Sequence, residues 1–261
     1  MHSDKEKSEA FIRLLNVLDT LREKCPWDAK QTNESLRANT IEEVYELTDA
    51  LLDGDINNIK KELGDVMLHI GFYSKIASEK GEFDIADVCN SLTDKLIFRH
   101  PHIYGDVAAQ TPEEVSKNWE QIKLKEKGGN KTVLSGVPKS LPSLIKANRI
   151  QEKVANVGFD WEEKEQVWEK VKEEIAEVEA EIKEGTREKL EDEFGDLLFA
   201  VINAARLYGV NPENALEKTN RKFIRRFSFL EAKAKEMKKS LKDMSLEEMD
   251  KIWNEAKGLE N

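Results

Sequence analysis

Cysteine is almost absent from this chain of 261 residues: Cys25 and Cys89 are the only two. Two thiols cannot build a disulfide framework or a four-thiolate zinc site, and they read as reduced, structural thiols of a cytoplasmic protein. Long apolar runs are missing too. The longest, Leu197 to Ile202, falls far short of the roughly 20 residues that span a bilayer, so no membrane partner is expected. The first residues, Met-His-Ser-Asp-Lys-Glu-Lys, lead into no apolar stretch of the secretory-signal kind. A basic surplus is lacking: 41 Lys and Arg stand against 52 Asp and Glu, a net charge of −11. Nucleic-acid binding, whose affinity comes largely from clustered cations meeting phosphates, is therefore not expected. There is no Gly-rich GxxxxGK[ST] phosphate loop, no His-Asp dipeptide and no Glu-x-x-His pair of the kind that di-iron bundles use.

Charge and helical periodicity are abundant. Charged residues make up 36% of the chain, with only 13 glycines and 6 prolines, a soluble and helix-rich balance. Apolar residues recur three or four apart at Val167, Val171, Ile175, Val178 and Ile182, and again from Leu190 through Phe194, Leu197, Leu198, Val201 and Ile202. Gly185-Thr186 between them reads as a helix stop followed by a new cap. The first half repeats this with Ile41, Val44, Leu47 and Leu51, then Gly54-Asp55, then Ile59, Leu63, Val66 and Ile70. No period-two strand series is found, so the fold is expected to be all-α. The Gly- and Pro-bearing stretch 125–142 reads as a linker between an N-terminal domain, 1–124, and a C-terminal domain, 143–261. The Lys-rich piece from Lys233 to Lys242, flanked by acids, reads as a solvated helix face.

The two halves repeat one another. A shift of 131 positions carries Glu42, Glu43, Glu46, Gly54, Glu62, Gly64 and Asp65 onto Glu173, Glu174, Glu177, Gly185, Glu193, Gly195 and Asp196 without a gap. A shift of 127 pairs Lys95 and Arg99 with Lys222 and Arg226. Glu113-Glu114 followed by Trp119 resembles Glu247-Glu248 followed by Trp253. On a helix Glu174 and Glu177 share a face, as do Glu193 and Asp196. A reversal at Gly185 would bring the two pairs opposite each other. Four carboxylates in one cleft repel and lose solvation, so the pattern asks for one to three divalent cations such as Mg²⁺, whose hard charge suits oxygen ligands. A single such pair in so acidic a chain is a surface feature; two pairs on consecutive helices, twice at one offset, are not. Lys222 with Arg226, and Lys95 with Arg99, present i,i+4 cations suited to phosphate oxygens. Lys189 stands four before Glu193, where the first half has Asn58. Trp253 offers either a flat face for a base or a place in the core. His69 reads as a core or helix-flank residue, its counterpart being Ala200.

These residues resemble the two-domain form of the MazG family of all-α nucleoside triphosphate pyrophosphohydrolases. The resemblance is carried by CPWDAKQTNESL at Cys25–Leu36, EEVYE at Glu42–Glu46, ELGD at Glu62–Asp65, GVPKSLPSL at Gly136–Leu144, VGFDW at Val157–Trp161, EEIAE at Glu173–Glu177 and EFGD at Glu193–Asp196. It implies two tandem helical domains, each completing a bundle through dimerisation. It implies Mg²⁺-dependent hydrolysis of (deoxy)nucleoside triphosphates, ATP among them, between the α and β phosphorus atoms, with Mn²⁺ as a substitute ion. Ligand roles pass to Glu174, Glu177, Glu193 and Asp196, and to Glu43, Glu46, Glu62 and Asp65. The nucleotide-binding set so implied is Lys170, Lys172, Glu174, Lys189, Asp196, Lys222, Arg226 and Trp253. Glu173, which would orient or deprotonate the water, and Lys189 form the catalytic set. The C-terminal domain is expected to be the main catalyst. The competing expectation is a non-catalytic helical module that senses a nucleotide or docks a partner.

Overall fold

The computed structural model describes residues 1–107, 111, 114, 115, 122 and 132–259, and every regular element among them is helical. Glu113, Trp119 and the 125–131 part of the expected linker lie outside the described residues. The chain divides into two compact units, Met1–Ala108 and Ala109–Asn261. In the first, α1 (Asp4–Lys24), α2 (Asn33–Asp53), α3 (Ile56–Glu79) and α4 (Ile85–Arg99) are followed by the one-turn α5 (Pro101–Tyr104). In the second, α6 (Ser143–Ala155), α7 (Val167–Glu184), α8 (Arg187–Leu207), α9 (Pro212–Glu236) and α10 (Leu246–Gly258) follow in order. Among the described residues no helix is long and apolar enough to cross a membrane.

Each unit is built on a helical hairpin, α2–α3 or α7–α8. The turns sit at equivalent positions but differ in geometry. Gly54 ends α2 at φ 68°, a conformation that a side chain disfavours, and the Asp55 carboxylate then accepts from the Asn57 and Asn58 backbone N–H groups. Gly185 is extended, and a Cβ there would come within 2.7 Å of the Glu181 carbonyl oxygen. Thr186 starts α8 by accepting from the Lys189 N–H at 3.3 Å.

The first unit's core packs Leu18 of α1 against Leu36, Phe72 and Ile76. In the second, Val167 and Val171 meet Ala200 and Ala204, while Leu230, Ala234, Met244 and Ile252 form a separate cluster between α9 and α10. The apolar stripes are wider than these cores. Val44, Leu51, Leu63, Met67 and Ile70 all remain exposed, and so do their counterparts 131 positions on: Ile175, Ile182, Phe194, Leu198 and Val201. The Lys-rich helix is shorter than the sequence implies. α9 ends at Glu236, Lys238 turns the chain at φ 53°, and Lys239 pairs with Glu248 of α10 at 2.6 Å.

Arg22 fastens the first unit. Its guanidinium donates to the carbonyls of Asp28 and Gln31 and to both Glu79 oxygens, and its side chain is 9% exposed. That pairing lowers the Glu79 carboxyl below its ordinary value. Arg22→Ala leaves these acceptors unpaired and is expected to cost roughly 1–3 kcal/mol in urea unfolding at neutral pH. The sign with pH follows from Glu79: its contribution is present above the unfolded carboxylate pKa and is lost as pH falls through the lowered folded value. The gap between wild type and variant should therefore narrow in acid.

Candidate active site

In the second unit the hairpin brings Glu174 and Glu177 of α7 to Glu193 of α8, with carboxylate oxygens of all three within 4.8 Å of one another. Glu174 is 4% exposed, and its Oε2 has no hydrogen-bond partner. Its Oε1 accepts from the Lys170 ammonium at 2.7 Å, and the same ammonium reaches Glu173 at 2.8 Å. Held between two carboxylates, Lys170 has its pKa raised, with the Glu173 hydrogen bond the larger cause. The Glu177 pKa is raised as well, which for an acid disfavours the charged form: lost solvation is the first cause, then the charges of Glu174 and Glu193.

The first unit assembles Glu43, Glu62 and Asp65 within the same 4.8 Å limit. Here the most buried member is Glu62, 2% exposed, and its Oε2 also lacks a partner. Lys61 Nζ lies 2.9 Å from Glu62 Oε1 and 3.7 Å from Asp65 Oδ2. Glu43 has its pKa raised by desolvation first and then by Asp65, Glu46 and Glu62. His69 is buried beside this cluster, its Nδ1 3.0 Å from Thr40 Oγ1, which also meets the Tyr73 hydroxyl at 2.5 Å. Burial lowers the His69 pKa.

Both clusters offer oxygen ligands alone, and both leave a buried carboxylate oxygen unsatisfied, which is costly unless a cation meets it. That donor set fits a hard divalent ion. The compensating lysine has changed helix between the copies. Lys170 comes from α7, where the first unit has Asn39; Lys61 comes from α3, where the second has Asp192.

Not every sequence-derived residue joins these triads. Glu46 lies outside the first and Asp196 outside the second, although Asp196 lines a cavity together with Glu174 and Lys170. Glu173 and Lys172 are exposed on α7, Lys172 paired with Glu169 at 3.0 Å. Lys189 is exposed in the first turn of α8. Lys222 and Arg226 share a face of α9, where the Arg226 guanidinium lies 5.9 Å from the Trp253 ring and Phe223 packs on that ring at 5.0 Å.

The cavity escaped the sequence reading. It encloses about 720 Å³ within the second unit and is walled by Phe159, Trp161, Phe199 and Asn203 beyond the carboxylates. Phe159 and Trp161 belong to the VGFDW stretch, whose glycine and aromatics were visible as a motif but whose side-chain directions were not.

A family profile described as the MazG nucleotide pyrophosphohydrolase domain matches residues 31–104 and 162–228, one segment in each unit. A nucleoside triphosphate pyrophosphohydrolase/pyrophosphatase MazG from Thermotoga maritima is 43% identical over 258 residues, covering 97% of this chain and 98% of that protein. A nucleoside triphosphate pyrophosphohydrolase from Escherichia coli strain K12 is 41% identical over 252 residues, covering 94% and 96%. The uncharacterized protein YabN of Bacillus subtilis is 49% identical over 238 residues, 90% of this chain but 49% of that protein.

Occupation of the triads should be readable as stability. Mg²⁺ or Mn²⁺ at about a hundred times its dissociation constant is expected to add roughly 2.7 kcal/mol per binding-linked unfolding step, seen as a rise in Tm. Glu62→Gln together with Glu174→Gln should abolish that rise, whereas either alone should leave part of it.

Proposed function

The chain belongs to the MazG family of nucleotide pyrophosphohydrolases and is an enzyme of that class, and on that premise we propose that its second unit cleaves nucleoside triphosphates, deoxy forms included, at the α–β bond with Mg²⁺. The observation that carries this reading is the buried, unpartnered Glu174 Oε2 in a three-carboxylate cluster that opens onto a cavity. Glu174, Glu177 and Glu193 would hold the ion, with Asp196 at the cavity wall as the fourth ligand. Bound there, Mg²⁺ supplies charge neutralisation for the phosphate chain and acidifies a coordinated water; Mn²⁺ would substitute.

The remaining roles are assigned by the reading to cations and one acid of the second unit. Lys170, which neutralises Glu173 and Glu174 here, would be the cation closest to the phosphate oxygens once an ion is held by the carboxylates. Glu173, adjacent to Glu174 in sequence, would orient the attacking water or take its proton. Lys189, Lys222 and Arg226 would stabilise the pyrophosphate as its charge grows, Lys172 would add to the positive field around the triphosphate, and Trp253 would set the plane of Arg226. The first unit keeps Glu43, Glu62 and Asp65 as ligands with Glu46 nearby in sequence, and Asn58 in place of Lys189 makes it the weaker catalyst. A reducing cytoplasm suits the free thiols of Cys25 and Cys89.

A second copy of the chain is the proposed cover for the exposed hairpin faces. Five apolar positions recur at one offset in both units and stay exposed in both, which a monomer in water does not favour. Sedimentation should show a dimer. Met67→Glu with Leu198→Glu should weaken association by more than about tenfold; an unchanged dimer would place the interface elsewhere.

The activity is tested by incubating the protein with a panel of triphosphates in Mg²⁺ and separating products. Monophosphate and pyrophosphate are expected, and diphosphate with orthophosphate would mean another bond is cut. Glu177→Ala or Asp196→Ala should lower turnover by about a hundredfold or more. Glu62→Gln should lower it far less.

A further inference from the structure

Three positions of the hairpin differ between the copies as a set. Thr40, His69 and Tyr73 of the first unit stand where the second has Val171, Ala200 and Ala204. In the second unit those residues join Val167 in a buried apolar cluster, so the hairpin packs there on small side chains alone. The first unit instead buries an imidazole whose partner, the Thr40 hydroxyl, also meets a phenol.

The direction of each hydrogen bond in this network is fixed. The Leu36 carbonyl lies 2.9 Å from Thr40 Oγ1 and can only accept, so the one proton of that hydroxyl goes to it. The two other contacts of the same oxygen must then be donated to it, by the Tyr73 O–H and by His69 Nδ1 at 3.0 Å. Burial disfavours the imidazolium form. A neutral ring with its proton on Nδ1 carries its lone pair on Nε2, and Nε2 has no hydrogen-bond partner among the described residues. One ring nitrogen held by a neighbour and the other left bare is how a metal-binding imidazole is prepared.

Position along the hairpin puts this histidine next to the carboxylates. Glu43 and Asp65 each lie 11 positions from Gly54, while Thr40 and His69 lie 14 and 15 from it. The antiparallel pair therefore sets acids in one layer and the histidine in the next. On α3, Glu62, Asp65 and His69 fall at i, i+3 and i+7, one stripe of the helix. His69 is not one of the three residues within 4.8 Å, but its Cα follows that of Asp65 by only about 6 Å along the axis. That i,i+4 spacing is the one by which two side chains of an HExxH helix share an ion. Glu62 adds a buried oxygen without a partner: the residue is 2% exposed, and Lys61 takes only Oε1.

We propose that the first unit's ion site is a mixed one, in which His69 Nε2 joins Glu62 and Asp65 as a ligand, and that it takes a first-row transition cation such as Mn²⁺, Fe²⁺ or Co²⁺ in preference to Mg²⁺. An imidazole nitrogen favours those ions, whereas Mg²⁺ keeps to oxygen and water. Thr40 is a positioning residue that fixes the tautomer. With Ala200 in place of the histidine, the second unit keeps an all-oxygen set, so one chain carries two ion sites of different preference. The inference rests on the reading of the first triad as an ion site and does not depend on which bond the second unit cuts.

The test uses the full-length chain with one site disabled at a time: Glu174→Gln leaves the first site, Glu62→Gln the second. Calorimetry gives Mn²⁺ and Mg²⁺ dissociation constants for each. The preference for Mn²⁺ over Mg²⁺ should be about tenfold greater at the first site than at the second. Pulsed EPR of the Mn²⁺-loaded Glu174→Gln protein should show coupling to a ¹⁴N nucleus, which the Glu62→Gln protein should lack. In the Glu174→Gln background, His69→Ala installs the residue that the second unit carries. It should abolish the coupling and weaken Mn²⁺ binding about tenfold or more, with Mg²⁺ binding held within about twofold. Thr40→Val keeps the ligand and removes its partner, so the ¹⁴N coupling should persist while Mn²⁺ binding weakens about tenfold. A first site that binds Mn²⁺ without ¹⁴N coupling, or with the second site's preference, would overturn the proposal and keep the triad as an oxygen-only ion site. Parallel loss of both ions on His69→Ala would give the ring a packing role alone and overturn it too. A Glu174→Gln protein that binds neither ion would overturn both the proposal and the ion reading of the first triad.

Discussion

Mutual repulsion among carboxylates is the constraint around which both halves of this chain are arranged. Three acidic groups with oxygens inside 4.8 Å lose solvation and gain like-charge neighbours at once, and Glu43 and Glu177 register this in their raised pKa values. Helical hairpins make such crowding possible, since two helices joined by a short turn have no freedom to splay locally. A lysine on the hairpin offsets part of the charge, and a buried oxygen in each cluster remains for something outside the chain. Catalytic potential and structural cost are therefore the same feature, resolved when a divalent ion arrives.

The two copies settle this constraint alike but differ in what lies behind it. In the first unit Thr40 bonds to both His69 and Tyr73 beside the acids. In the second, small residues at Ala200 and Ala204 withdraw and aromatics from the α6–α7 connection close the far side. The two copies thus share the carboxylate half of the hairpin and differ in the space next to it. The first unit also carries Asn58 where the second carries Lys189.

Much of the fold could be read from residue order. The all-α class, the stops at Gly54 and Gly185 and the gathering of Glu174, Glu177 and Glu193 follow from local periodicity, because i,i+3 spacing and a tight turn leave few alternatives. What periodicity could not supply was which side of an apolar stripe finds a partner: Ile175 and Val178 look equivalent in sequence, yet one is exposed and the other buried. Long-range side-chain choices were equally hidden. The Asp160–Arg206–Asn203 chain joins a loop to the last turns of α8 across 46 positions, and no spacing rule announces it. Lys170 was visible as a cation near the site, but its grip on both Glu173 and Glu174 depends on rotamers that only packing decides.

The exchange of lysine between helices restricts how these halves could have been shuffled. A crossover at the glycine turn joining α2 to α8 would carry Glu43, Glu46, Glu193 and Asp196 with neither Lys61 nor Lys170, leaving four acids uncompensated. The reciprocal product, α7 joined to α3, would carry both ammonium groups and compete with the ion for its own ligands. Only an intact hairpin therefore keeps a single lysine with its own set of acids.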